Sequence, residues 1–243
     1  MRTPLSFFLL LILITGCATY TTPGAGVNVG NLAAADEDIA EIMSREPASP
    51  FPARISIARV QASGYSSRSS WCYGEGQFCL VMARDVENER DFEALAALPM
   101  VADLGPLNRI LLPEKLGSIR DLRVAAAQLK TDMLLVYTFD TRFNVDSTDI
   151  GPLQLVSLGF FRNKKAKVTT TASAALLDVR TGFTYGVAES TAVAEQSASV
   201  WSSEAAIENA RRETETESFQ GLMQETRKLW KSVVESHAVA AGG

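Results

Sequence analysis

Apolar and polar residues alternate strictly from Tyr137 onward, with apolar side chains on one face and polar side chains on the other. This period of two is typical of a β-strand with one buried face. The alternating stretch follows residues 133–136, a continuously apolar run that predicts a strand covered on both faces. The predicted strands are residues 54–62, 78–82, 133–145, 153–161, 167–179 and 183–193.

A hairpin is predicted between the last two of these strands. The sequence Asp178-Val-Arg-Thr-Gly182 has Asp at the start of the turn and Gly where the backbone needs a positive φ. A type I turn with a bulge requires this arrangement.

Other segments have the 3.6-residue period of helices. Residues 87–98 form one such segment, and Ser118 is predicted to cap a second helix that runs to Leu129. Asp121 stands where a capping box usually has Glu. Residues 101–113 are apolar but interrupted by Gly and Pro, which predicts a loop with room for a short strand.

One long helix is predicted from Ser203 to about Ser236. Its second half is strongly amphipathic, whereas its first half, Glu204–Glu217, is mostly charged. A helix of about 33 residues would be about 50 Å long, which exceeds the width of a domain of this size. We therefore expect either an exposed surface helix with a kink near residues 218–221 or a polar half that projects as a contact for a partner or a second copy.

These elements predict an α/β (α+β) fold: a mixed, largely antiparallel sheet backed by helices, with a long C-terminal helix. Residues 51–236 are long enough for a single domain with a substantial core. Residues 237–243 are predicted to be a disordered tail.

The N-terminus indicates where this domain works. Arg2 precedes a run of ten mostly apolar residues, 5–14, which is too short for the roughly 20 residues of a membrane-spanning helix. Small residues then lead to Cys17, which resembles the lipobox of bacterial lipoproteins. Residues 1–16 are thus the predicted signal peptide, and residues 17–50 a lipidated cysteine with a flexible tether; an ordinary secretory signal with a chance cysteine is the alternative.

Lipidation at Cys17 predicts an outer-membrane protein whose domain faces the periplasm. Ala18 and Thr19 follow the cysteine, with no Asp as an inner-membrane retention signal. Two or three acyl chains, each contributing about 0.8 kcal/mol per buried methylene, would hold the protein on a bilayer. Inner-membrane anchoring and surface exposure are the alternatives.

The charge balance argues against nucleic acid as a partner. The whole chain has a formal charge of −5, and removal of residues 1–16 with Arg2 makes it 22 − 28 = −6. A nucleic-acid footprint needs a basic face.

Cys72 and Cys79 remain once Cys17 is assigned to lipid. In an oxidising periplasm a pair seven positions apart favours a structural disulfide. A redox pair lacks the usual Cys-x-x-Cys spacing, and a zinc site lacks a nearby histidine, so these alternatives are weaker.

No catalytic motif is evident, and we expect a protein that is not an enzyme and holds no metal or cofactor. His237 is the only histidine, which disfavours histidine-based triads and multi-histidine zinc sites. Asp140, on the polar face of its strand, is the best lone carboxylate. The aromatic residues of loop 63–77, Tyr65, Trp71 and Tyr73, are the candidate ligand-binding residues.

The segment 125–136, followed by sheet, by Leu177-Asp-Val-Arg-Thr-Gly182 and by a terminal helix, resembles a group of envelope proteins. Their shared α/β domain is similar to the N-terminal domain of TolB and to the curli secretion lipoprotein CsgG. Asp132 and the hairpin match that pattern, whereas Lys130 and Thr131 stand where the group usually has Gly-Ala. The resemblance implies a periplasmic helix-backed sheet with a role in assembly, secretion or scaffolding, and it carries over no active site.

The leading hypothesis is therefore a lipid-anchored envelope protein that binds or scaffolds other envelope proteins or self-associates through the long helix. The alternative is a periplasmic module that binds a small molecule or glycan through loop 63–77.

Overall fold

The computed structural model describes residues 26–27, 29–30, 39–65, 67, 71–82, 84–146, 165–197 and 204–238. The predicted leader, Cys17 and the predicted strand 153–161 lie outside these residues. The described strands are β1 Ala53–Ala62, β2 Cys72–Tyr73, β3 Glu75–Gly76, β4 Phe78–Val81, β5 Val101–Pro106, β6 Lys115–Leu116, β7 Met133–Asp146, β8 Lys165–Asp178 and β9 Thr184–Ser197. The helices are α1 Ile39–Met43, α2 Glu89–Ala96, α3 Ile119–Gln128 and α4 Glu204–Val233, with a 3-10 turn at Arg109–Leu111 and a π-helical turn at Val234–Ala238.

Seven of these strands form one mixed sheet in the order β2-β4-β1-β7-β8-β9, and β5 also pairs with β1. The pairs β7–β8 and β8–β9 are antiparallel, while β7 and β5 run parallel to β1. The predicted fold class is confirmed. The segment 101–113, predicted as a loop with room for a short strand, contains the six-residue strand β5, which backbone pairing to β1 holds without a fully buried apolar face.

Helices cover the two faces of the sheet unequally. α2 and α4 pack on one face, where Tyr137, Phe139 and Phe219 belong to the larger apolar core. α3 packs on the other face over Leu134 and Val136. It covers only the first part of β7, so, among the described residues, no helix covers this face of the remaining β7–β9 sheet.

The long helix α4 neither breaks nor projects, contrary to the prediction. α4 continues from Glu204 to Val233 as one α-helix of 30 residues, about 45 Å at 1.5 Å per residue, and does not break at residues 218–221. Its charged half does not project either, because Arg211, Thr214 and Glu215 are fully buried. The helix fits because it lies along β7–β9, which have 14 residues each.

The predicted ends of the domain also shift. Contacts with the body begin before residue 51, since Ala48 N donates to Asp178 and Ser49 Oγ donates to the Asp132 carbonyl. At the other end, His237 is not part of a disordered tail as predicted: it lies in the π-helical turn, with its ring 5.2 Å from that of Tyr185.

The C-terminus of α3 ends in a left-handed residue that is not glycine. Lys130 has a φ of 58°, Lys130 N donates to the Ala127 carbonyl, and Thr131 N donates to the Ala126 carbonyl. These two bonds form a Schellman cap, in which glycine is the usual left-handed residue. The backbone geometry is therefore retained although the glycine is replaced.

Lys130→Gly is expected to stabilise the protein by about 1 kcal/mol, because it removes the cost of a left-handed L-residue. The measurement is the urea midpoint of unfolding. Leu129→Gly, one position earlier at a right-handed residue, is the matched control and should destabilise; stabilisation by both variants would contradict the prediction.

The predicted hairpin between β8 and β9 is confirmed, with Gly182 at a φ of 74°. The Asp178 carboxylate accepts hydrogen bonds from Arg180 N and Thr181 N within the turn, and from Ala48 N and the Tyr185 hydroxyl outside it. Burial tends to raise the pKa of Asp178, but these donors outweigh burial and hold the pKa below its ordinary value.

Acid should therefore weaken the fold through Asp178. A lowered folded-state pKa gives stability above the unfolded-state pKa of about 3.9, and this stability is lost as the pH falls through the folded-state value. Asp178→Asn should lower the urea midpoint at neutral pH and flatten its decline below about pH 4. Tyr185→Phe removes one donor and should give an intermediate profile; an unchanged acid limb in Asp178→Asn would contradict this role.

Candidate functional site

Charged side chains meet in the buried space between the sheet and α4, and we call them the ionic cluster. β1 and α4 contribute the two arginines, and the segment before α2 contributes two of the carboxylates. The members are Arg59, Asp85, Glu87, Glu208, Arg211 and Glu215.

Each guanidinium in the ionic cluster bridges several carboxylates. Arg211 Nη2 lies 2.8 Å from Asp85 Oδ2 and 2.6 Å from Glu208 Oε1, while Nη1 donates to Glu215. Arg59 Nη1 lies 3.1 Å from Asp85 Oδ1 and 3.2 Å from Glu87 Oε1. The two arginines therefore share Asp85, which links the β1 side of the sheet to α4.

Hydroxyl groups complete the bonding of the carboxylates. The Tyr137 hydroxyl donates to Glu87 Oε1 at 2.8 Å, and Thr141 Oγ1 donates to Glu215 Oε1 at 3.0 Å. Thr170 joins Thr141 to Thr214 on α4 through oxygen–oxygen distances of 3.0 and 2.8 Å. A polar network thus crosses from β7 through β8 to the helix.

The ionic cluster is suited to holding elements together and poorly suited to proton transfer. Burial opposes charge on Arg59 and Arg211, but the adjacent carboxylates outweigh it and raise both pKa values, so the guanidiniums stay charged. Burial raises the pKa of Glu215, while Arg59 and Arg211 oppose that shift. The carboxylates are bound by arginines rather than turned towards a substrate cavity.

A smaller crevice lies where two strands diverge beside β1. β5 pairs with β1 as far as Ile57, and β4 pairs with β1 only from Val60 onward. Ala58 and Arg59, which lie between these two pairings, line a cavity of about 320 Å³. Tyr137 also lines this cavity. Its volume is at the lower limit for small-molecule pockets, and the ionic cluster already engages both guanidinium Nη atoms of Arg59.

The larger cavity is a shallow groove of about 800 Å³ over the uncovered part of β7–β9, which we call the open sheet face. Its polar side chains are bonded across the strands: Thr171 and Thr191 hydroxyls lie 2.9 Å apart, and Ser173 Oγ donates to Glu189. Its polar lining includes Thr138, Asp140, Arg142, Thr171, Ser173 and Glu189.

A short segment of the N-terminal region lies on one side of the open sheet face. Val27 N donates to Thr138 Oγ1 at 3.1 Å. A Cβ on Gly26 would lie 3.1 Å from the Phe139 carbonyl oxygen, so the backbone rests directly on β7. The face therefore already accommodates one stretch of polypeptide.

The predicted aromatic ligand site is only partly assembled. Trp71 is 53% exposed, and both Trp71 and Tyr73 lie beside Arg109, whose guanidinium carbon is 5.8 Å from each ring centre. Tyr65 is buried, and its hydroxyl accepts a hydrogen bond from Arg59 Nη2. Tyr65 thus belongs with the ionic cluster, and Trp71 is the one strongly exposed ring of the three predicted residues.

The other predicted residues have separate positions. Asp140 forms an ion pair with Arg142 at 2.9 Å on the open sheet face. Among the described residues, no group of three or more His, Cys, Asp or Glu side chains could hold a metal ion. In the same part of the chain, no helix is long and apolar enough to cross a bilayer.

The predicted disulfide is present: Cys72 and Cys79 are bonded and connect β2 to β4. The loop it closes spans residues 72–79. Cross-linking so short a loop lowers the entropy of the unfolded chain.

Replacement of both cysteines, Cys72→Ala/Cys79→Ala, should lower the free energy of unfolding by about 2–3 kcal/mol. Urea unfolding with and without reductant measures the effect. Reductant should destabilise the wild-type protein to a similar extent and leave the double variant unchanged. Equal stability of the oxidised and reduced wild-type protein would contradict the prediction.

The sequence interpretation missed Arg59 and Arg211, although both positions carried a signal. Arg59 follows Ile55 and Ile57 at a spacing of two, on the inward side of β1. Arg211 continues the buried stripe of α4 backwards from Leu222 and Phe219 at helical spacing. The positions of Arg59 and Arg211 in the apolar patterns of β1 and α4 indicated that they are buried, although arginine is usually exposed.

No protein-family model matches the chain, and no curated protein matches it significantly.

Proposed function

We propose that this chain is a non-enzymatic, lipid-anchored envelope protein that binds an extended segment of another envelope protein on its open sheet face. The lipobox-like sequence at Cys17 supports the anchor, and the Cys72–Cys79 disulfide is consistent with an oxidising periplasm. The resemblance to TolB and CsgG domains supports a role in assembly or scaffolding on the outer membrane.

The open sheet face is the observation that carries the binding role. In the part of the chain that the structure describes, no helix covers it, and hydroxyl and charged groups from three strands line its groove. The bond from Val27 N to Thr138 Oγ1 illustrates how such a surface receives a main-chain donor. Its shallow form suits a peptide segment better than an enclosed small molecule.

The anchor would keep this face near the membrane. Gly26 follows Cys17 by 26 − 17 = 9 residues, and an extended chain spans at most about 3.6 Å per residue, or about 30 Å in all. The side of the domain that carries Gly26 would therefore stay within about that distance of the lipid, where other anchored proteins are encountered.

Site-specific photo-crosslinking in cells tests the binding role. A photoreactive residue in place of Thr171 or Glu189 should give discrete adducts, because both positions lie on the open sheet face. The matched controls are Lys228 and Lys231, exposed on α4. Equal adducts from both sets, or none from the face, would contradict the proposal.

Fractionation tests the anchor. Cys17→Ser should move the protein from the membrane fraction to the soluble fraction and abolish incorporation of a labelled fatty acid. Thr19→Ser is the control and should leave both unchanged. Persistent fatty-acid labelling in Cys17→Ser would contradict lipidation at this residue.

A further inference from the structure

Among the described residues, the outermost strand at one end of the sheet, β9, pairs only with β8. Natural edge strands are commonly protected by charged side chains, especially Lys, by Pro, by bulges or by short length. β9 has 14 residues without Lys, Arg or Pro, its charged side chains are Glu189 and Glu195, and its register shift lies only near the hairpin, between the Leu176–Gly186 and Leu177–Thr184 pairs. The edge is therefore long and weakly protected.

The side chains of β9 separate cleanly between the two faces. Ala188 and Ala192 are buried on the side of α4. Val187 and Val193 point to the open side, where they are 73% and 45% exposed, and Glu189 is exposed between them. An exposed apolar pair thus flanks the middle of a weakly protected edge.

We propose that β9 pairs in antiparallel fashion with β9 of a second copy of this chain, centred on Ser190. In this register Val187 lies opposite Val193 of the second copy, and Glu189 lies opposite Thr191. Each exposed valine thereby gains an apolar partner, and each Glu189 faces a hydroxyl rather than a like charge.

Neighbouring registers that keep the same faces together are less complementary. Centring the pair on Glu189 opposes two Glu189 carboxylates, and centring it on Ala192 opposes Glu189 and Glu195. Centring it on Thr191 places Glu189 against Val193. Like charges directly opposite each other are destabilising, so the register centred on Ser190 is preferred.

The symmetry of this dimer also agrees with a membrane anchor. The two-fold axis is perpendicular to the sheet, so both open sheet faces point the same way. Both Gly26 segments would then lie on one side of the dimer. This point rests on the proposed lipid anchor, whereas the strand pairing is inferred from β9 alone.

Cysteine cross-linking of the full chain in mild detergent tests the register. Directly opposed residues have Cβ atoms about 4.5–5.5 Å apart, close to the spacing that a disulfide needs. Val187→Cys/Val193→Cys should form covalent dimers on mild oxidation. Each single variant should form no more covalent dimer than the wild-type protein. Its introduced cysteine and the same cysteine of the second copy lie six positions apart along the paired strands, 193 − 187 = 6, or about 20 Å.

A second variant tests the pairing without a cross-link. Sedimentation should show a dimer for the wild-type protein and a monomer for Val187→Lys/Val193→Lys, with an unchanged circular-dichroism spectrum because both side chains are exposed in the single chain. Failure of the double cysteine variant to exceed the single variants, a wild-type monomer, or cross-linking of Thr191→Cys alone would overturn the proposed pairing. None of these outcomes depends on whether the open sheet face binds a partner.

Discussion

Replacing Arg211 with Met is expected to lower the free energy of unfolding by about 3–5 kcal/mol, the range observed when one partner of a buried ion pair is removed. The Arg211 side chain is fully buried and bonds to Asp85, Glu208 and Glu215. Without it, these carboxylates remain in a site from which water is largely excluded. The cost is therefore mainly that of unpaired buried charge.

Urea unfolding followed by circular dichroism measures this loss. Lys228→Met is the control, because Lys228 forms a similar ion pair on α4 with Glu225 but is exposed; we expect it to change stability by less than about 0.5 kcal/mol. Arg211→Met/Glu215→Met should be more stable than Arg211→Met, since it also removes one of the buried carboxylates that Arg59 alone would then have to balance. A loss below about 1 kcal/mol for Arg211→Met would contradict burial of this half of the helix.

Phe219→Ala is expected to cost about 3–5 kcal/mol, as for other buried aromatic residues truncated to alanine. Phe219 is completely buried, and its ring centre lies 5.6 Å from those of Phe92 and Tyr137 and 6.3 Å from that of Phe139. It therefore joins α2, α4 and β7. The substitution leaves a cavity among rings that cannot all move to fill it.

The same unfolding measurement tests Phe219, with near-ultraviolet circular dichroism to report on the surrounding aromatic rings. Phe219→Leu retains most of the apolar volume and should cost less than half as much as Phe219→Ala. Equal costs for the two variants would contradict tight ring packing at this position.

Local patterns predicted the elements whose side chains repeat regularly. β7, β8 and β9 were identified because alternate residues face the core, and the Asp178–Gly182 turn because a left-handed residue favours glycine. β5 was not identified as a full strand, because its pairing to β1 uses backbone groups and its burial does not alternate. Backbone pairing without a repeating side-chain pattern leaves little signal in a sequence.

The charged half of α4 was predicted incorrectly for a different reason. Its charges find buried partners far away in the chain, 126 residues away for Arg211 and Asp85. A prediction from neighbouring residues alone places such charged side chains in solvent. The spacing of Arg211 and Glu215 relative to Phe219 was the available evidence, and the identity of their partners required the tertiary structure.

Among the candidate sites, too, some features were predicted from the sequence and others required the tertiary structure. The Cys72–Cys79 pairing followed from the cysteine count and the predicted compartment, and the disulfide is present. Composition could not show which aromatic residues of loop 63–77 are exposed, because Tyr65 is buried and its hydroxyl accepts a hydrogen bond from Arg59. The open sheet face could not be located from sequence, since it depends on how far α3 extends across the sheet.

The contact between β1 and α4 makes completion of the fold a long-range event. Arg59 on β1 has part of its bonding supplied by Glu215, 156 residues further along. Contacts with such long separations are associated with slow folding, because a large loop must close before they form. Until α4 docks on the sheet, the buried Arg59 of β1 lacks one of its final partners, so we expect β1 and α4 to reach their native packing together.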